Sequence, residues 1–436
     1  MTEYRESEEL QRGVQPTFRP ETNSATKTIQ NVDTKARDTS TDTDDGDEDN
    51  QKKSGLSALL SKMPMWARWI LAVIALYFLI VAVGLIGDGI SGVGEDAAQK
   101  AFDFASNPFV GLFVGILATA LIQSSSTTTS IVVTAVGAGA LPLNVGVPVI
   151  MGANIGTSVT NTLASLGHAG NKNEFRRAFS ASTVHDFFNL LAVVILFPIE
   201  WFFHPMERVS QWLANGLYGT VLPDPGNVDF IGAITDPVAG ALGPDGLMGF
   251  LPGEIAPSVG TILLGIFLIF MAVRWMGKIL QSIIVGRAKK WLQRALEGKP
   301  PVSMLVGFLV TCLAQSSSVT TSTMVPFAGS GTLTTRDIYP MTLGANVGTT
   351  TTAIIAALAV GGDGGRAALT MALVHLLFNV FGIILIYVLP FLRNNPVWCA
   401  EKMGKLASEH KTIAAVWVLG VFIIIPGIVV FSQALF

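Results

Sequence analysis

The chain has 436 residues, half of them hydrophobic, with a mean hydropathy of +0.52. Only 14% carry charge, against about 25% in globular proteins, and 22 of the 59 charged residues lie in residues 1–63. The remainder cannot cover itself with charge in water, which argues against a soluble enzyme and for a membrane protein. A net charge of −3 gives no support for nucleic-acid binding, and Cys312 and Cys399 are too few for a disulfide framework or a zinc site.

Residues 1–63 lack a sustained apolar period, and Thr41–Asn50 is almost purely acidic and polar. With little apolar surface to offset chain entropy, this tail is expected to be disordered. The first apolar run begins only near Trp66, so no secretory signal peptide is expected at the start. Runs close to the ~20 residues that cross a bilayer then recur near 66–87, 143–166, 174–200, 258–284, 338–360, 366–390 and 412–434. Two further apolar stretches, 106–139 and 303–330, are interrupted midway by polar clusters.

Lys and Arg concentrate in cytoplasmic loops. Lys52, Lys53, Lys62 and Arg68 therefore place the N-terminus inside. If the two interrupted stretches are hairpins that return to the side they entered, the basic clusters 172–177, 287–299 and 393–411 also fall inside. The Gly/Pro-rich connection 201–257, with Arg208 alone, then falls outside.

The chain also contains itself twice. Gln123–Ser126 and Gln315–Ser318 both read QSSS, 192 positions apart, and Gly152–Thr157 (GANIGT) matches Gly344–Thr349 (GANVGT) at the same offset. Arg176 matches Arg366, and His185, Phe188 and Asn189 match His375, Phe378 and Asn379, at an offset of 190. Counting crossings, the first hairpin enters from outside and the second from inside, so the halves run in opposite senses. The predicted fold is an all-α integral membrane protein of two inverted-topology repeats, each with a re-entrant helical hairpin and a broken transmembrane helix. Inverted repeats with interrupted helices point to a secondary transporter with a midplane site.

Irregular backbone at membrane depth survives only where protein or a cavity satisfies it, so the QSSS tips are expected to face a cavity. Their hydroxyls and free N–H groups could surround a small oxyanion; their carbonyl and hydroxyl oxygens could equally hold a hard cation. Gly152, Asn154, Gly156 and Thr157, and Gly344, Asn346 and Gly348, are expected to let their helices unwind, since glycine tolerates non-helical backbone. The competing reading of any single Ser or Thr is close helix packing. Asp186 lies within a span and, if ionised, needs a partner such as a bound cation; the alternative is a neutral or Arg-paired carboxylate. His185 and His375 read as core histidines. No Walker A loop, G-x-S-x-G or HExxH occurs, so the chain is read as a non-enzyme that draws on an ion gradient or a partner.

At these motifs, with GANIGTSVTNT at 152–162, FRRAF at 175–179, VHDFFN at 184–189 and GANVGTTTT at 344–352, the chain resembles the type II sodium-dependent phosphate cotransporters over roughly 64–434. The resemblance implies a phosphate importer of the cell membrane driven by sodium, with Na+ as coupling ion, no cofactor and no transition metal. It implies phosphate held at Gln123, Ser124, Ser125, Ser126, Ser316, Ser317 and Ser318, and sodium at Gln315, Ser316, Ser317, Thr349 and Thr352. Asp186 matches the aspartate of electrogenic members, where it helps hold an additional sodium with Asn189. Ser180 and Ser182 stand where electroneutral members have serine, and His168, Asn171 and Ala345 depart from the additional sodium site. The chain is also expected to stop one span before vertebrate relatives do. The organisation read from this is a cytoplasmic tail (1–63), a first transmembrane helix (64–95), a first transport repeat (96–200), an extracytoplasmic linker (201–257), a connecting helix with a basic cytoplasmic segment (258–299), a second repeat (300–392), and a cytoplasmic loop with the last helix (393–436). A carrier of another small oxyanion, a phosphate exporter and a non-transporting scaffold or sensor are the alternatives; inorganic phosphate, Na+ and the lipid bilayer are the expected partners.

Overall fold

Among the described residues, six stretches become helices long and apolar enough to cross a bilayer: Met65–Gly89, Lys172–Phe203, Ala256–Leu280, Thr335–Leu358, Gly364–Val388 and Lys411–Gln433. The computed structural model describes residues 60, 63–93, 107–217, 230–296, 299–360 and 364–435, and among them every regular element is helical. The predicted acidic tail lies outside the described residues, apart from Leu60 and Met63.

In chain order the elements are α1 (Met65–Val93), α2 (Pro108–Ile122), α3 (Ser125–Gly137), α4 (Leu143–Gly156), α5 (Ser158–Leu166), α6 (Lys172–Phe203), α7 (Pro205–Leu217) and α8 (Phe230–Leu242). There follow α9 (Ala256–Leu296), α10 (Pro300–Ala314), α11 (Ser317–Ser322), α12 (Val325–Gly329), α13 (Thr335–Leu358), α14 (Gly364–Gly382), α15 (Asn395–Glu409), α16 (Lys411–Leu419) and α17 (Ile425–Leu435). α14 runs on as a π-helical turn at Ile383–Val388, and another, Gly420–Ile424, joins α16 to α17. The connection expected as a linker, 201–257, carries α7, α8 and a 3-10 turn at Leu247–Phe250.

Local chemistry sets the ends. Asn107 caps α2 by accepting from Phe109 N, with Pro108 at the first helical position, where its missing N–H costs nothing. A capping box of Thr334 and Asp337 starts α13, and Asn171 caps α6. α2 and α10 have 15 residues each and sit 192 positions apart. At 1.5 Å per residue they reach about 22 Å, short of a ~30 Å hydrocarbon core.

The same order of elements recurs at that offset: α2, α3, α4 with α5, and α6 against α10, α11 with α12, α13 and α14. The two sets interlock, since α3 packs against α13 and α14, and α6 against α12 and α13. The core sits at this junction, where Phe188 and its repeat-mate Phe378 are fully buried.

Of the expected helix breaks, the one at Thr157 is present, and those at Gly152, Asn154, Gly156, Gly344, Asn346 and Gly348 need correction. α13 runs unbroken from Thr335 to Leu358, through Gly344, Asn346 and Gly348. In the first half the ladder is interrupted only between α4 and α5, at Thr157, whose φ/ψ of −60°/−24° remain helical; Gly152, Asn154 and Gly156 lie inside α4. The glycines serve close approach instead. A Cβ on Gly344 would stand 1.8 Å from Met304 O of α10, and one on Gly152 would stand 1.9 Å from Leu112 O of α2. Spaced four apart with Gly348 and Gly156, they form the small-residue seam that lets membrane helices touch backbone to backbone.

Candidate functional site

Each QSSS motif is a turn between two helices, built in the same way twice. Gln123 ends α2 and Gln315 ends α10, both in left-handed backbone at φ 59° and 52°. Each glutamine amide donates to a carbonyl three residues back, Ala120 O or Cys312 O. Each Oε1 accepts a threonine hydroxyl from the packed helix: Thr160 to Gln123 at 3.0 Å, Thr352 to Gln315 at 2.8 Å. The first turn is thus held by its own helix end and by α5, the second by its own helix end and by α13.

The next residue starts the following helix. Ser124 caps α3, its Oγ accepting from Thr127 N at 3.2 Å and Thr127 Oγ1 at 2.9 Å. A hydroxyl has two lone pairs and one proton, so Ser124 keeps its proton to donate. Ser316 caps α11 by accepting from Val319 N.

The tips meet. Ser126 Oγ donates to Gln315 O at 3.3 Å, across 189 residues of sequence. A cavity of about 200 Å³ is walled by Gln123, Ser124 and Thr127 of one tip and by Gln315, Ser316 and Val319 of the other. α9 completes it with Phe270, Val273, Arg274 and Lys278, and among the described residues no acidic side chain lines it. The volume is several times what one water needs. Ser125, Ser126, Ser317 and Ser318 are not in its wall. Gln315 is only 5% exposed while Gln123 is exposed.

Of the residues assigned to sodium, Gln315 and Thr352 touch directly and Ser316 is adjacent. Thr349 donates back to Ala345 O at 3.0 Å, and the carbonyl of Ser317 accepts from Thr321 Oγ1 at 2.8 Å. Asp186 and Asn189 turn to different partners. Asp186 has no exposed surface, and its Oδ2 accepts from Trp417 Nε1 of α16 at 3.1 Å. Asn189 donates to Asn154 O at 2.8 Å and accepts from Asn346 Nδ2 at 2.9 Å.

The asparagines of the two GAN motifs reach across the repeats. Asn346 Oδ1 lies 2.6 Å from His185 Nε2. Asn154 Oδ1 lies 3.4 Å from both His375 Nε2 and Asn379 Nδ2. A carbonyl oxygen only accepts, so each histidine presents Nε2–H to the asparagine of the other half. Both histidines are core polar groups, as expected, although His375 Nδ1 and Asn379 Oδ1 are buried with no hydrogen-bond partner among the described residues. His168 pairs with Glu174 at 3.6 Å, Asn171 is spent on its cap, and Arg177 donates from Nε and Nη2 to Gly329 O at 2.9 and 2.6 Å.

Away from the tips, ligand atoms of Glu200, His204 and Glu207 lie within 4.8 Å of one another. The buried Glu200 carboxylate is already committed to the start of α7, accepting from Met206 N at 2.8 Å and Glu207 N at 2.9 Å.

Sequence reasoning missed Arg274, Lys278 and Trp417. The first two could have been found as charges spaced four apart in an otherwise apolar span. Nothing local marks Trp417, which meets Asp186 from 231 positions away.

Six spanning helices around paired polar turns define an α-helical, multi-pass membrane protein. The chain belongs to the Na+/Pi-cotransporter family, which it matches over residues 78–214 and 258–400. It is 32% identical over 448 residues to sodium-dependent phosphate transport protein 2B of Homo sapiens, an alignment covering 82% of this chain and 64% of that protein. It is 33% identical over 451 residues to sodium-dependent phosphate transport protein 2A of Ovis aries, covering 87% and 69%. The chain thus spans about 64% of the length of the 2B relatives. No solved structure matches it.

Proposed function

We propose that the chain is a sodium-coupled carrier that imports inorganic phosphate across the cell membrane by alternating access. The observation that carries this is a cavity shared by two matched Gln-Ser turns, with hydroxyl and amide groups in its wall and, among the described residues, no acidic side chain. Such a wall suits a tetrahedral oxyanion. Phosphate is held between the Gln123–Ser126 and Ser316–Ser318 turns. Sodium is held at Gln315, Ser316, Ser317, Thr349 and Thr352, where Gln315 Oε1 and the Thr352 hydroxyl supply neutral oxygens 2.8 Å apart. Asp186 and Asn189 form an additional sodium site, which requires them to exchange the partners they have here.

α2 with α3 and α10 with α11 act as re-entrant hairpins, since neither α2 nor α10 has the length to cross. The repeats are inverted, with the N-terminus cytoplasmic. In this orientation Arg68 of α1, whose Nη1 donates to Ser282 O of α9 at 2.7 Å, marks the cytoplasmic ends of both helices. Sodium bound at Gln315 orders the second turn and completes the phosphate site, so each ligand raises the affinity for the other.

A sodium jump applied to proteoliposomes containing labelled phosphate outside tests the proposal. Accumulation that follows the sodium gradient and is competed by arsenate, with sulfate and dicarboxylates inert, is expected. Uptake indifferent to sodium refutes it.

A further inference from the structure

Nothing in either turn carries a fixed positive charge: residues 123–130 and 315–323 are Gln, Ser, Thr and Val throughout. An oxyanion leaving water is held more firmly where opposite charge stands beside the donors. Two cations stand in the same cavity wall. Arg274 and Lys278 sit four residues apart on α9, hence on one face of the helix, and both lie within the span Ala256–Leu280. Ionisable side chains inside a span are costly and mark functional pathways. Among the described residues neither cation is ion-paired with a carboxylate. Arg274 has only a 6.0 Å approach to the Phe270 ring.

We propose that Arg274 and Lys278 are the positive charges of the oxyanion site, holding a tetrahedral anion against Ser124, Thr127 and Ser316. This rests on the reading of the cavity as the carrier's oxyanion site. The helix joining the two repeats then takes part in recognising the substrate, beyond connecting them. At 1.5 Å per residue, Arg274 lies about 12 Å and Lys278 about 6 Å along α9 from the level of Ser282, where Arg68 docks. The pair therefore draws the anion toward the end of the cavity nearest that docking point, in the proposed orientation the cytoplasmic side. Separate delivery of charge and hydroxyls has a mechanical consequence: any movement of the tips relative to α9 parts the anion from its counter-charge and weakens its hold.

The competing role for both side chains is snorkelling, in which a long cation near a span's end anchors it to the interface. Uptake by the full chain in proteoliposomes separates the two. R274Q, K278Q and the double variant are expected to raise the phosphate concentration for half-maximal uptake about tenfold or more. The sodium half-saturation at saturating phosphate should stay unchanged, and R274K should remain near wild type. A monodisperse double variant with wild-type phosphate half-saturation overturns the assignment; should R274Q fail to fold, K278Q alone carries the same test. Wild-type protein without sodium-dependent phosphate uptake defeats the parent reading instead. In that case equilibrium binding of labelled phosphate and sulfate decides separately: loss of binding in K278Q and the double variant upholds the cation pair, and equal binding ends it.

Discussion

Replacing Thr352 by Val removes one hydroxyl and keeps the shape of the side chain. In the structure that hydroxyl donates to Gln315 Oε1 at 2.8 Å, in a site where Thr352 is fully buried and Gln315 nearly so. Inside a membrane a hydrogen bond between helices contributes about 0.6 kcal/mol on average and up to roughly 1.7. That is the whole expected loss if the contact is structural, and it leaves sodium dependence alone. If the same oxygens hold sodium, the variant loses a ligand as well as a bond. A loss of about 1.4 kcal/mol is a tenfold change in affinity, so the sodium half-saturation should rise about tenfold, and the phosphate affinity at limiting sodium should fall with it.

The repeat supplies the control. Thr160→Val breaks the corresponding 3.0 Å contact to Gln123, whose side chain is exposed and can turn to water. It should cost a few tenths of a kcal/mol and leave the sodium half-saturation within about twofold. Labelled-phosphate uptake titrated with sodium reads both variants, with thermal unfolding in detergent as the check on folding. Equal shifts for Thr352→Val and Thr160→Val, or no shift for a folded Thr352→Val, would refute the assignment of sodium to the second turn.

Gly344→Ala should destabilise the protein by about 1–3 kcal/mol or prevent folding, because a Cβ 1.8 Å from Met304 O forces α10 and α13 apart; Gly170→Ala, with open space around it, should be neutral in the same unfolding assay. Asn346→Ala should cost more than Asn154→Ala, since it gives up contacts between the repeats of 2.6 and 2.9 Å, where Asn154 gives up two of 3.4 Å at Oδ1 and, within its own helix, a 2.9 Å bond from Nδ2 to Ile150 O; comparable losses would show that the distances do not rank the two junctions. Trp417→Phe should cost about 1–3 kcal/mol by removing a donor from the buried Asp186 carboxylate. It should cost distinctly less in an Asp186→Leu background, as a double-mutant cycle would show.

Much of the helical layout is legible because bilayer length and hydropathy are blunt, one-dimensional constraints. The six long spans fall within a few residues of their expected places. The run 143–166 is split at Thr157, and α2 and α10 stop at glutamines where polar clusters interrupt apolar runs. The glycines show where pattern alone misleads. Gly152 and Gly344 beside polar residues look like points of unwinding, yet the same residue also permits contact between backbones. Only the position of α2 and α10 decides between these uses, and that is tertiary information. Asp186 and Asn189, three apart on one helix, were read as a pair. The structure sends one toward Trp417 and the other toward Asn154 and Asn346, because a long helix at the junction of two repeats meets different neighbours on adjacent faces. Arg274 and Lys278 were visible as charges in a span, but their significance depends on which helix face closes the cavity.

The two turns are chemically equivalent and unequally placed. Both glutamines adopt the left-handed backbone, both bridge to a threonine 37 residues on, and both are followed by a capping serine, so local sequence dictates the turn itself. What differs is tertiary: Gln315 is buried and Gln123 exposed, Thr311 Oγ1 is bonded to Thr320 Oγ1 at 2.7 Å, and its mate Thr119 Oγ1 is buried with no hydrogen-bond partner among the described residues. Dehydrating a cation is repaid only where the replacing oxygens are fixed and shielded, which favours the second turn for sodium under the proposed function. The exposed turn can exchange its contacts with water at little cost, which suits the side of the site that must take up and release an anion. Under the proposed function, the repeat therefore supplies one chemistry twice, and the asymmetry of packing divides the labour between the copies.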